Sequence, residues 1–473
     1  MTDHQRADTV MPGHPAPAPN MKRLAAEGLT FTSAYCPSPH CCPSRAAFHT
    51  GLMPSRSGVW NNIGNDMRLS WGLNEGVRCW AQDVRERGYE TTFIGKWHVD
   101  ASKGPECYGW AGELATGLGF EQLEELWDAY AKPEFTEQPQ TRGTGQIMRP
   151  GYPPYTLYGI REQQHHDLSV TERAVQEIRD LASMGDPWCL FAGFTGPHDP
   201  YFVPQRYLDR VPPAAAALPP SYTDGLDDKP RIYQRMRRQI FGQLTESEVC
   251  EAIRHFWAYC AFLDDQLGQI LEALEDSGQA EDTLVLFCSD HGDYCGDHGL
   301  FAKGIPAFRG AYRVPAIVRW PAGIASPGRS VDSLVSLVDF APTFKEIAGC
   351  SGKASLSGDS LVPFFRGAEP PAWRNALLGQ CNGVELYYTQ RWVQTDRWRY
   401  VFNGFDFDEL YDLHADPNEM RNLSGMNDYD TVKNQMARTM WRLARAENDA
   451  VINPYITVGL APVGPGAVSE DVR

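Results

Sequence analysis

The sequence has no apolar run long enough to cross a membrane; its longest hydrophobic stretches are strand-sized. That excludes a membrane-spanning helix within these residues. Basic residues are in deficit: 43 Lys and Arg stand against 60 Asp and Glu, a formal net charge of −17. Such a chain does not bind nucleic acid or anionic membranes non-specifically, and an anionic substrate has to be drawn in by local cations. No Cys-x-x-Cys pair occurs among the 12 cysteines, which excludes the common zinc-binding spacing. The scattered cysteines fit a reducing compartment better than a disulfide framework. Met1-Thr2-Asp3-His4-Gln5-Arg6 is polar and shows no leader, so a cytoplasmic location is expected. Internal repeats are also missing.

What is present is a regular alternation of helical and strand signals. Residues 18–28 read as a short helix stopped by Gly28, and 29–35 as a strand. Residues 77–87 read as a helix before the strand 90–94, and 169–182 as a helix before the strand 188–194. Ser169 and Glu172 have capping-box spacing, as do Thr245 and Glu248 at the head of a long helix over 245–276. A strand over 283–288 follows. Helices alternating with short, continuously apolar strands predict an α/β domain whose mostly parallel sheet is covered on both faces. Cys189 and Cys288 fall in such strands and are expected in the core. Beyond about residue 370 the pattern changes to short alternating strands near 391–402 and 409–413 and a helix over 429–446. The expected division is therefore a catalytic domain over 1–370 and a smaller antiparallel sheet plus helix over 371–473. Segments 132–155, 211–220 and 383–391 read as loops, the first and last of them expected at the substrate pocket.

Sites in such sheets form at the carboxyl ends of the strands. Polar clusters follow three of the predicted strands directly: Gly95-Lys96-Trp97-His98, Thr195-Gly196-Pro197-His198 and Ser289-Asp290-His291-Gly292. A fourth cluster, Cys41-Cys42-Pro43-Ser44-Arg45, reads as the mouth of a helix that ends at Gly51. Proline suits a first helical turn. The backbone N–H groups and dipole there favour an anion, and Arg45 offers a guanidinium matched to a tetrahedral oxyanion.

Cys-x-Pro-Ser-Arg followed by Thr50-Gly51 resembles the signature of the sulfatase family, within the alkaline phosphatase superfamily. Gly88-Tyr89-Glu90-Thr91-Thr92-Phe93-Ile94-Gly95-Lys96-Trp97-His98 is similar to the family's second signature. Segments 296–304 and 409–419 are also sulfatase-like. The resemblance implies an alkaline phosphatase-like sandwich and hydrolysis of small-molecule or carbohydrate sulfate esters. A formylglycine-generating enzyme would oxidise Cys41 to formylglycine, whose hydrated aldehyde attacks sulfur to give a covalent sulfo-enzyme. Lys96 would hold the sulfate, His98 would deprotonate the hydrate, His198 would protonate the leaving alcohol, and Lys303 would bind the ester oxygen. A divalent metal, calcium with magnesium or manganese as alternatives, would be held by Asp3, Asp290, His291 and residue 41. Asp293, Asp297 and His298 are expected to be structural, and His4 is left out of the ligand set. Relatives with the same nucleophile hydrolyse phosphonate monoesters or phosphodiesters, which is the alternative reading. Family members place an apolar strand before the metal-binding aspartate, and that strand is absent before Asp3. The expectation is that Met1 is internal to a longer chain and that Asp3 hangs from a mobile end, the third reading being an inactive remnant.

Overall fold

The computed structural model describes residues 1–63, 68–111, 129, 132, 141–162, 166–350, 355–367, 370–384, 386–460 and 464–466. Among the described residues six short strands make the central layer: β1 (Leu29–Phe31), β2 (Glu90–Gly95), β3 (Trp188–Gly193), β4 (Val285–Cys288), β5 (Ala316–Arg319) and β6 (Arg329–Val331). They form a four-stranded sheet, β6-β1-β5-β4, and a separate parallel pair, β2-β3. β1 and β6 are parallel, whereas β5 runs against both its neighbours, so the layer carries one reversed strand.

The first three residues join the two pieces. Thr2 donates its N–H to Cys288 at the end of β4, and Asp290 donates back to Thr2. On the other side Phe194 donates to Met1, and Asp3 donates to Gly196, beyond β3. Asp3 is fully buried by this pairing, which corrects the expectation that it hangs from a mobile end. Beneath Met1 lies an apolar cleft of about 400 Å³ between β3 and β4, lined by Phe48, Trp80, Leu190, Leu284 and Leu286 among others.

Neighbouring strand residues point to opposite faces, as the pleat requires. Phe93, Cys288 and Val318 join one core with Phe31, Phe48 and Trp80. Ile94, Phe287 and Ile317 join the other, against the helices α1 (Pro19–Ala26), α4 (His166–Met184) and α5 (Glu246–Asp276). The first core carries α2 (Cys41–Thr50) and α3 (Trp80–Glu86). Thus the sheet is covered on both faces and its strand ends remain open for polar loops.

α5 starts as its sequence dictates. Thr245 accepts from Glu248 N at 3.3 Å, and Glu248 returns a carboxylate to Thr245 N at 2.9 Å. Thr245→Ala is expected to cost about 1 kcal/mol of stability, read by urea denaturation. Ser169, by contrast, lies inside α4 and caps nothing. The helix begins earlier because buried Asp167 uses its carboxylate to accept from Thr195 N and Gly196 N.

After residue 376 the chain forms an antiparallel sheet in sequence order: β7 (Leu377–Cys381), β8 (Gln390–Gln394), β9 (Trp398–Asn403) and β10 (Glu409–Asp412). The segment expected as one strand over 391–402 is a hairpin. α6 (Asp430–Ala446) covers one face with Met440 and Trp441. Part of the loop expected over 132–155 is a hairpin of Gln146–Arg149 and Tyr152–Thr156, and the rest of it lies largely outside the described residues.

Candidate active site

Cys41 is the first residue of α2, and His40 before it is extended, so the helix opens directly onto its side chain. Gly51 ends the helix at φ 70°, the left-handed conformation that favours glycine. Met1–Asp3, the β2 end, the β3 end and the β4 end all converge on this helix mouth. Gly95 permits one of those approaches: at φ 90°, a Cβ there would lie 2.0 Å from the Gly193 carbonyl oxygen. Lys96 N donates to that same carbonyl at 2.9 Å, which aims the lysine at the site.

The polar groups form one buried network. Cys41 Sγ lies 3.3 Å from His291 Nε2, 3.4 Å from Lys303 Nζ and 3.7 Å from Asp3 Oδ1. Lys96 Nζ donates to Asp3 Oδ2. His198 Nε2 lies 3.2 Å from Lys303 Nζ, and its Nδ1 is 2.6 Å from the Asp199 carbonyl. His198 is partly open to solvent, so it stands at the mouth. His98 Nδ1 is buried without a hydrogen-bond partner.

Two placements differ from expectation. Arg45 does not face an open oxyanion position. It is fully buried and donates from Nε to Asp290 at 2.7 Å, from Nη1 to the Lys96 carbonyl at 2.8 Å and from Nη2 to Asp3 at 3.4 Å. It sets the two carboxylates. Asp290 also sits back from the tightest cluster: its oxygens are taken by Arg45 and by His291 N, with Oδ1 3.7 Å from His291 Nε2. His4, which the sequence reading left aside, is instead in the cluster. Asp3, His4, Cys41 and His291 each offer a donor atom within 4.8 Å of the others. The signal was present: Asp3-His4 and Asp290-His291 are the same dipeptide at two facing strand ends.

The electrostatics follow from this packing. Burial raises the Cys41 thiol, but Lys303, Lys96 and His291 outweigh it and draw the thiol well below its ordinary range. Burial and Cys41 push the Asp3 carboxyl up, yet Lys96, His198 and Arg45 hold it down at about 2. Burial lowers Lys96 and Lys303, while Asp3 and Cys41 raise both above the usual lysine value. Burial lowers His98, so its imidazole is neutral near pH 7. Asp293 is pushed up to about 7 by burial and by Asp199. A compact set of cations around one nucleophilic position can stabilise an attacked tetrahedral anion.

Asp297 and His298, expected to be structural, are engaged away from the Cys41 cluster. Asp297 accepts from Arg6 and Ser221, and His298 donates from Nδ1 to the Asp224 carboxylate while stacking on Phe308. All twelve cysteines are free thiols, with Cys288 in the core and Cys189 half-buried against it. Among the described residues no helix is long and apolar enough to span a membrane.

The sulfatase family model matches residues 1–350, about three quarters of the chain. The chain belongs to the sulfatase family. It is a sulfuric ester hydrolase with an alkaline-phosphatase-like fold. A second model, the C-terminal region of N-sulphoglucosamine sulphohydrolase, matches residues 296–446. The chain is 31% identical to a choline-sulfatase of Rhizobium meliloti over 425 residues, covering 86% of this sulfatase and 77% of that protein. It is 30% identical to arylsulfatase K of Danio rerio over 435 residues, covering 86% and 75%. Among solved structures, a phosphonate monoester hydrolase of Agrobacterium radiobacter superposes with a TM-score of 0.76 at 24% identity, covering 94% of each chain. At that identity the likeness shows the shared fold alone.

Proposed function

We propose that this sulfatase cleaves sulfate esters with a nucleophile made from Cys41 and with a divalent metal beside it. The observation that carries the reading is the position of Cys41 Sγ: at a helix mouth, within 3.7 Å of Asp3, His291 and Lys303. Oxidised to formylglycine and hydrated, residue 41 supplies a geminal hydroxyl as nucleophile. Asp3, His291 and, further back, Asp290 would hold a dication, which when bound would polarise the sulfate and acidify that hydroxyl.

The other residues have defined tasks. Lys96 and Lys303 flank residue 41 and neutralise the sulfate oxygens. His98, neutral and with an unpartnered Nδ1, takes the proton from residue 41. His198 has its Nδ1 hydrogen on the Asp199 carbonyl, so its imidazolium form presents an Nε2–H that protonates the leaving oxygen at the mouth and leaves the ring neutral with its hydrogen on Nδ1. Arg45 positions Asp3 and Asp290 and touches no substrate.

Mass spectrometry of the peptide carrying Cys41, after co-expression with the maturation enzyme, tests the nucleophile; unconverted cysteine with undiminished turnover would sink it. His198→Ala is expected to slow alkyl sulfates by about 10²–10⁴-fold and p-nitrophenyl sulfate far less, since a good leaving group needs no proton. Equal losses on both substrates would remove His198 from the acid role.

A phosphonate monoester activity is the second reading, supported by the site's several cations and imidazoles, which suit a tetrahedral phosphonate monoanion as well as a sulfate one. Rates on p-nitrophenyl sulfate and on a phenyl phosphonate ester, measured side by side, separate the two.

A further inference from the structure

We propose that the centre beside Cys41 takes zinc, with His4 as one of its ligands, in place of the calcium that the family resemblance implies. This deepens the reading of the site as metal-dependent, and metal binding rather than turnover decides it.

The argument begins with His4. It is fully buried at φ 70°, a conformation uncommon for a residue with a side chain, so its surroundings dictate its place. Its Nδ1 lies 3.0 Å from Asp293 Oδ2. That carboxylate is itself held by Tyr201 Oη at 2.8 Å and Cys295 N at 2.7 Å. Its Nε2 meets Lys303 Nζ, an ammonium that can only donate. Nε2 therefore carries the lone pair and Nδ1 the hydrogen.

His291 repeats the pattern. Its Nδ1 lies 2.8 Å from the Gly292 carbonyl, which can only accept. Its Nε2 lone pair faces Cys41 Sγ at 3.3 Å and Asp3 Oδ1 at 3.5 Å. Two imidazoles thus turn a hydrogen onto an oxygen behind them and a lone pair onto one point. That is how metal-ligating histidines are held.

The donor set then selects the ion. Calcium takes six to eight oxygen ligands. Here Asp3 Oδ2 is occupied by Lys96 and Arg45, and the Asp290 oxygens by Arg45 and His291 N. Asp3 Oδ1 is left as the carboxylate oxygen inside the cluster, beside two nitrogens and the Cys41 position. Imidazole and thiolate suit zinc and its neighbours. Tetrahedral donors at zinc distances are separated by roughly 3.3–3.8 Å. Four of the six donor separations match that range, Cys41 Sγ–His291 Nε2 3.3 Å, His291 Nε2–Asp3 Oδ1 3.5 Å, Cys41 Sγ–Asp3 Oδ1 3.7 Å and His4 Nε2–Asp3 Oδ1 3.7 Å, and all lie within 4.8 Å. With Cys41 converted, Asp3, His4 and His291 remain as three protein ligands with one open position, the pattern of a catalytic zinc site. Lys303, which holds the His4 lone pair here, is freed toward the substrate.

The test titrates the full chain, stripped by a chelator, with zinc and with calcium in a calorimeter. Cobalt absorption reports coordination geometry. Zinc is expected to bind at least about 10³-fold more tightly than calcium, with the intense visible bands of four-coordinate cobalt. His4→Ala is expected to cost about 100-fold or more in zinc affinity, and His4→Asp to move the preference toward calcium. Asp293→Asn keeps the His4 ring and is expected to lose about 10–100-fold, which covers the case where His4→Ala fails to fold. Calcium binding as tight as zinc, or zinc affinity unchanged in Asp293→Asn and His4→Ala, overturns the proposal. A chain that binds zinc in this way yet turns over no sulfate ester overturns the proposed reaction and leaves the metal assignment standing.

Discussion

Cys41→Ala removes sulfate-ester hydrolysis almost completely, a fall on the order of 10⁴-fold or more in kcat, while Cys42→Ala retains it. The magnitude is that of losing a nucleophile from a site whose remaining groups act as a unit with it. The contrast between adjacent cysteines comes from their surroundings. Both are buried, and burial alone raises both thiols. Cys41 has two lysines and His291 around it, and these reverse the effect. Cys42 has Cys41 as its principal charged neighbour, so its thiol stays well above the ordinary range. Its Sγ accepts from Ile63 N at 3.4 Å and packs in the core, a structural role. Initial rates on p-nitrophenyl sulfate, with matched maturation of each variant, check this. Comparable losses in both variants would mean that residue 41 matters only through packing.

Arg45→Met has the second large effect, and it falls on stability as well as turnover. Arg45 is sealed from solvent between Asp290 and Asp3. Methionine fills similar space but leaves two buried carboxylates short of a cation. Breaking a buried charge pair from one side costs about 3–5 kcal/mol. Arg45→Lys recovers part of this at most, because an ammonium cannot reach Asp290, Asp3 and the Lys96 carbonyl together. Urea denaturation without added metal measures the loss. A variant as stable as the parent would show that Lys96 alone satisfies Asp3. Turnover is expected to fall with both substitutions, since the Asp3 and Asp290 carboxylates that Arg45 holds beside residue 41 lose their orientation.

Much of the fold was legible because its signals are local. The capping box at Thr245 and Glu248 found the head of α5, and the apolar runs found β2, β3 and β4 to within two residues. Ser169 misled because an identical pattern says nothing about whether the preceding turn has a buried use, as Asp167 does. Reversal of β5 was equally invisible: strand direction is set by pairing partners outside the segment, here β4 and the far more distant β1.

By itself the sequence determined the chemistry of the helix mouth. Pro43 and Gly51 bound a helix at Cys41, and polar clusters at strand ends supply the lysines and histidines around it. Only the tertiary structure decided which of three Asp-His pairs meet. Asp3-His4 and Asp290-His291 face each other because Met1–Asp3 run between β3 and β4, whereas His298 of Asp297-His298 turns onto Asp224. It also turned Arg45 from an anion binder into the group that sets two carboxylates. The physical reason is common to both. A residue type fixes which contacts a side chain can make, but long-range strand pairing and burial fix which of them it does make.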